Sequence, residues 1–337
     1  MKILLLLSSL LTLSSINVHA QDDFSIGMVT DVGGVDDKSF NQGAWEGMNR
    51  WGKEHNKEQG LDGFTYFQSD TEADYITNLN LASQNNIDLI FAIGYKLQPA
   101  VQEIAKQYPD QYFGMVDSVI ELPNVASLNF ADEEAAFLAG VAAATTTKSN
   151  KVGFVGGVEG VVIDKFEAGF VAGVQAVDDS IDIDIQYAGS FTDSSIGRTI
   201  AATMYANDVD VIFHASGPTG NGVFSEAKDL VSIQPDRELW VIGVDLDQSA
   251  EGKTTINGET RNINLTSTLK NTGNAIHSFS NGVLENGFEP GIQWFNLAND
   301  GVGLADGRLS DDSLSVIEDF RQQIIHGDIE VPDAPEQ

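Results

Sequence analysis

Residues 30–42 read Thr-Asp-Val-Gly-Gly-Val-Asp-Asp-Lys-Ser-Phe-Asn-Gln. They follow a short apolar run, residues 24–29, and precede a helical pattern that begins near Ala44. A loop at that junction stands at the carboxyl end of a strand, the edge where open α/β sheets place ligands. Gly33 and Gly34 let the chain bend sharply, Asp31 and Asn41 offer hydrogen-bonding groups, and Phe40 offers a flat face. A plain Gly/Asp turn would account for the glycines alone. The density of polar groups beside one aromatic makes the stretch a candidate binding loop. Within it, Asp36, Asp37 and Lys38 read as structural or solvent-facing.

Outward from this loop the same alternation repeats. Residues 87–93, 112–116, 152–155, 209–213 and 239–244 are short apolar runs with β-branched or aromatic residues, bounded by Gly, Asp or Asn, and read as buried strands. Residues 41–53, 74–85, 98–107, 132–146, 165–177, 194–206 and 222–230 read as helices. A βαβα order implies parallel sheets covered on both faces. The 337 residues exceed one comfortable core, so two lobes are expected. Lys148-Ser149-Asn150 is a natural joint between two such series, and the small-residue helix over 131–144 predicts tight packing near the lobe boundary. Residues 299–307 read as a Gly/Asp loop, 310–325 as a last helix and 331–337 as a loose tail.

The N-terminus has the pattern of an export signal: Lys2, an apolar stretch over 3–13, and the small-residue site Val18-His19-Ala20. Cleavage after Ala20 is expected, giving a soluble periplasmic protein. There is no cysteine, which excludes disulfides, thiolate metal sites, cysteine nucleophiles and a lipid-carrying cysteine anchor. Fifty acidic residues against eighteen Lys and Arg give a formal charge of −32. Such a field repels phosphates, so nucleic acid is not an expected partner.

The strand ends repeat one chemistry. Asp31 follows the first, Gly94-Tyr95-Lys96 another, Asp117-Ser118 the next, then His214-Ala215-Ser216-Gly217 and Asp245-Leu246-Asp247-Gln248. Singly, Asp117 and Asp245 would be ordinary turn caps, Phe40 a core anchor, Lys270 a solvated helix-start residue and His214 structural. Together they describe one ligand-facing edge. His214, Ser216 and Asp245 supply the residue types of a nucleophilic triad, but no serine sits in a Gly-x-Ser-x-Gly elbow. The run Val155-Gly156-Gly157-Val158-Glu159-Gly160 lacks both the P-loop ending and the dinucleotide spacing. The histidines are dispersed, so neither a metal nor a cofactor is expected. These groups suit holding a flat, polar solute.

Several separated segments then resemble, in order, the basic membrane protein (PnrA-like) family of ABC transporter substrate-binding proteins, many of which bind purine nucleosides. They are the loop itself, Gly114-Met115-Val116-Asp117-Ser118, residues 129–140, 151–157 and 166–173, residues 217–222, Gly243-Val244-Asp245 and Thr266-Ser267-Thr268-Leu269-Lys270. The resemblance implies a type I periplasmic-binding fold: two doubly wound lobes, 23–127 plus 247–279 and 128–246 plus 280–325, joined by a three-segment hinge, with 326–337 as a tail. It implies that Phe40 stacks on one face of a nucleobase and Phe213, with His214 the alternative, on the other. Asp31 and Asn41 would hydrogen-bond the base, Asp117 and Asp245 the ribose hydroxyls, and Lys270 would balance the carboxylates. Gly217 joins the same set. The implied partners are a nucleoside and an inner-membrane permease, with the protein itself monomeric. Leu246 and Asn271 depart from the family's usual small polar and basic residues. A ligand-sensing partner of a membrane receptor, and a nucleoside hydrolase, are the alternative functions.

Overall fold

In the computed structural model, which describes residues 24–335, the chain builds two six-stranded sheets. The leader expected over residues 1–20 lies outside the described residues. The first series runs β1 (Ile26–Val29), α1 (Phe40–Glu54), β2 (Phe64–Phe67), α2 (Asp74–Gln84), β3 (Leu89–Ile93), α3 (Gln98–Gln107), β4 (Tyr112–Val116) and β5 (Val125–Phe130). The second runs α4 (Asp132–Thr146), β6 (Lys151–Gly156), α5 (Val161–Val177), β7 (Asp182–Tyr187), α6 (Ser194–Ala206), β8 (Val211–Ala215), α7 (Gly220–Ile233) and β9 (Trp240–Gly243). A hairpin of β10 (Lys253–Ile256) and β11 (Glu259–Asn262) follows, then β12 (Asn264–Lys270), α8 (Thr272–Asn286), β13 (Gly291–Phe295), β14 (Val302–Leu304) and α9 (Asp311–His326).

The sheet orders are β13-β5-β4-β3-β1-β2 and β14-β12-β9-β8-β6-β7. Only the β12–β14 pair in these two sheets is antiparallel. Central strands such as β3 and β8 are buried throughout, which is why they read as unbroken apolar runs. Each sheet reverses its winding beside its first strand, and the strands' carboxyl ends face one crevice.

The expected lobe boundaries need correction. Residues 247–271, placed with the first lobe, carry the hairpin and β12, and β12 pairs with β9 in the second sheet. The chain returns only at Thr272: α8 packs on α1, and β13 pairs with β5, so 280–295 belong to the first lobe. Gly47 and Gly273 bring α1 and α8 into backbone contact; a Cβ on Gly47 would lie 2.2 Å from the Gly273 carbonyl oxygen. The joint at 148–150 is an internal turn of the second lobe, since α4 packs on α5 and α9. The tight packing predicted for that small-residue helix is present: Cβ atoms on Gly140 or Gly173 would sit 2.2 and 2.0 Å from facing backbone oxygens.

Three crossings join the lobes, at Phe130–Asp132, Lys270–Thr272 and Phe295–Val302. They are tied side by side. Ala131 N donates to Phe295 O at 2.8 Å, and Asn271 N donates to Gly301 O at 2.9 Å. The tail is also less loose than expected, because Ile329 and Val331 pack against the main core.

Candidate functional site: a cleft between the lobes

Asp37 sets the opening loop. Its Oδ1 accepts from Ser39 N (2.9 Å) and Gln42 N (3.0 Å), and its Oδ2 from Asn41 N (2.8 Å) and Asn41 Nδ2 (2.9 Å). It therefore caps α1, satisfying amides a helix start leaves free. Asn41 in turn donates through Nδ2 to Asp31 Oδ1 at 2.7 Å, and Gly33 N donates to the same oxygen at 2.8 Å. Asp31 is thus fixed through one oxygen, while Oδ2 has no hydrogen-bond partner among the described residues and stands beside Gly94 at the cavity wall. Burial raises the Asp31 carboxyl to about 6, against the lowering effect of those donors.

Lys270 forms the cleft's charged end. Its ammonium lies 2.8 Å from Asp117 Oδ2, 2.7 Å from Asp117 Oδ1 and 2.9 Å from Asp132 Oδ2. Burial alone would push it down, but the carboxylates of Asp117, Asp132 and Asp245 outweigh that and hold it above the usual lysine range. It also sits 5.2 Å from the Phe40 ring centre and 5.0 Å from that of Phe130. Asp117 and Asp245 occupy equivalent strand ends in the two lobes, and both adopt left-handed backbone, with φ of 65° and 67°. Asp245 is buried, which raises it to about 6; Ser39 Oγ, from the opposite lobe, donates to its Oδ2.

The cleft is lined on one side by Asp31, Phe40, Asn41, Tyr95, Lys96 and Asp117, and on the other by Val162, Phe166, Phe191, Ser216, Gly217 and Asp245. Apolar rings and a few charged groups line it together, the make-up of a small-molecule site. The lobes meet across it: Lys38 Nζ lies 2.9 Å from Glu251 Oε2, and Gln248 Nε2 donates to Lys38 O at 3.0 Å. Leu246 packs over Gly43, and Asn271 serves the hinge, which gives both departures from the family pattern a local role.

Seven of the eight expected site residues line this cavity: Asp31, Phe40, Asn41, Asp117, Gly217, Asp245 and Lys270. Phe213 does not. It is fully buried, packed in the second-lobe core against Phe154, Phe166 and Phe170. His214, its neighbour on the strand, points to the other face and is also fully buried. The aromatics that reach the cleft from this lobe are Phe191, from the loop before α6, and Phe166 on α5. Gly157 seats Phe191, since a Cβ there would lie 2.2 Å from the ring; Gly156 does the same for Tyr187. The glycine-rich run thus makes room for rings. Asp132, which lies within residues 129–140 but carries no sequence signal of its own as a site residue, joins the cluster by pairing with Lys270.

The triad types are arranged differently from a nucleophilic centre. Ser216 Oγ is 3.3 Å from His214 Nδ1, but His214 Nε2 meets the neutral Gln248 Oε1 at 3.0 Å, and Asp245 engages Ser39 instead. Burial lowers His214 to about 4, leaving it a weak base at neutral pH. Among the described residues no helix is long and apolar enough to cross a membrane.

Two parallel α/β lobes, a three-stranded hinge and a cleft at the strand ends define a periplasmic-binding-protein-like solute receptor. Residues 24–335 match the family described as ABC transporter substrate-binding protein PnrA-like, and the chain belongs to that family. It is 50% identical over 318 residues to a CD4+ T-cell-stimulating antigen of Listeria monocytogenes, covering 93% of this chain and 89% of that protein. It is 46% identical over 314 residues to the ABC transporter nucleoside-binding protein BmpA of Lactococcus lactis, covering 92% and 89%. Among solved structures, an ABC transporter solute-binding protein from Aeropyrum pernix superposes with a TM-score of 0.80 at 25% identity, covering 93% of this chain and 94% of that one.

Proposed function

We propose that the protein binds a purine nucleoside between its lobes and delivers it to a permease of the inner membrane, working as a soluble periplasmic monomer. One observation carries the reading. An apolar slot bearing Phe40, Phe166 and Phe191 ends in the carboxylates Asp117 and Asp245 around a buried lysine. A flat base fits the slot, and ribose hydroxyls fit carboxylates that each accept two donors. The free Oδ2 of Asp31 faces the base end and would take an N–H donor. Asn41 has one free acceptor lone pair but spends both amide protons on Asp31 and Asp37, so its main part is to hold Asp31. The family supports transport, and the printed name of the Lactococcus relative supports a nucleoside.

Phe191 replaces Phe213 as the partner of Phe40 in this reading. Native mass spectrometry of gently purified protein tests the ligand's class. A retained mass matching a purine nucleoside is expected. A retained solute of another class, with no response to added nucleoside, overturns the reading.

A further inference from the structure

The cleft continues beyond its apolar slot. Past Tyr95 and Asp117 it opens into a groove along the hinge, between the end of β5, the first turn of α5 and the edge strand β13. Tyr95, Lys96, Asp117 and Val162 border both spaces. The groove wall carries polar atoms without partners. Asn129 is 8% exposed, has no side-chain hydrogen-bond partner among the described residues, and buries its Nδ2. Asp132 is 2% exposed; it gives Oδ2 to Lys270 and leaves Oδ1 buried and unpaired. The Tyr95 hydroxyl is also buried without a partner.

An unsatisfied buried polar group costs about 1–3 kcal/mol. Three of them, on residues that border one groove beside the cleft, point to a place that a bound molecule completes. The set offers a donor at Asn129 Nδ2, an acceptor at Asp132 Oδ1 and a hydroxyl able to act as either. That suits a carbonyl and an N–H or O–H on one small group. The charges select against an anion. Both cations at the groove are already paired, Lys165 with Glu133 at 3.3 Å and Lys96 with Glu72 at 2.7 Å. Asp117 and Asp333 add negative charge to the same walls.

We propose that this groove is a second subsite, which takes an uncharged amide- or hydroxyl-bearing substituent on the sugar end of the ligand and refuses a phosphate there. The assignment rests on the nucleoside reading, which places the sugar at Asp117 and Lys270.

Calorimetric titration of the full-length protein and of Asn129→Leu tests it. The probes are the purine nucleoside that binds best, its 5′-N-methylcarboxamide and its 5′-monophosphate. Leucine keeps the branched heavy-atom shape of Asn129 in a larger side chain and removes its polar atoms, so a purely structural Asn129 predicts that any change in affinity is shared by the parent and the carboxamide. The expected result is that the carboxamide binds within about threefold of the parent or tighter, and that Asn129→Leu weakens the carboxamide about three- to tenfold while leaving the parent within about twofold. The phosphate should bind about a hundredfold more weakly, as like charges placed together cost several kcal/mol. Exclusion of the carboxamide, equal binding of the phosphate, or a carboxamide affinity indifferent to Asn129→Leu overturns the subsite while the parent still binds. Failure of every nucleoside to bind overturns both readings.

Discussion

The two walls of the cleft are built on the same strand order yet carry different chemistry. The first lobe presents Asp31, Asn41, Tyr95, Lys96 and Asp117, with Phe40 as its one large apolar face. The second presents Val162, Ile163, Phe166, Phe191, Pro218 and Val244, with Asp245 and, at the hinge end, Lys270 as its charges. Hydrogen-bonding groups are held rigidly on one side, by a capped helix start and a web of amides. The other side closes as an apolar cover. In the proposed reading this separates binding energy from selectivity: the second wall would remove water from the ligand, and the first would read its polar atoms.

The lysine joining the walls should show the largest effect. Lys270→Met leaves Asp117 and Asp132 buried without a counter-charge, so unfolding free energy should fall by about 3–5 kcal/mol, read from denaturant melts. An unchanged melt would mean those carboxylates are not held by the lysine. The two phenylalanines of the second lobe should then part company. Phe213→Ala should cost about 3–5 kcal/mol of stability with affinity retained, as for a core ring. Phe191→Ala should weaken ligand binding by about 1–3 kcal/mol with a smaller effect on stability. The reverse pattern would return Phe213 to the site.

The first wall's acid makes the next prediction. Burial raises Asp31 to about 6 in the folded protein, above its value of 3.8 in an unfolded chain. Its contribution to apo stability is therefore fully present below about pH 4 and lost as pH rises through about 6. Ligand affinity should run the opposite way, rising through about pH 6 as the acceptor ionises. Asp31→Asn should flatten both profiles; profiles that keep their shape in the variant would assign the titration elsewhere. The smallest effect belongs to the exposed Lys38–Glu251 pair across the mouth. Lys38→Ala should lower affinity by less than about 1 kcal/mol and reduce its salt dependence. A loss well above that would make the pair a principal clamp.

The fold was legible wherever a strand was buried on both faces. β3, β4, β6, β8 and β9 all declared themselves as apolar runs. β5 hid because Ser127 and Asn129 interrupt its pattern, although Ser127 Oγ is satisfied by Ile120 N at 3.0 Å. β7 hid for another reason. Its Asp-Ile-Asp-Ile-Gln-Tyr alternates like a half-exposed edge strand and contains no continuous apolar run to mark it. The site was legible at strand ends, because topology alone brings those ends to one crevice. Phe191 was not, since it comes from the loop 188–193, whose course is fixed by packing over Gly157. Nor was Phe213's inward direction, which depends on which face of β8 meets α5.

Binding of a purine nucleoside between Phe40 and the second lobe is the proposal on which the other predictions depend. Its most direct test is isothermal titration of protein stripped of ligand by unfolding and refolding, against inosine, adenosine, guanosine and cytidine. The predicted result is single-site, saturable binding of at least one purine nucleoside, weaker binding of cytidine, and a loss of about 1–3 kcal/mol in Phe40→Ala. No binding by any of the four, or full affinity retained in Phe40→Ala, would contradict it.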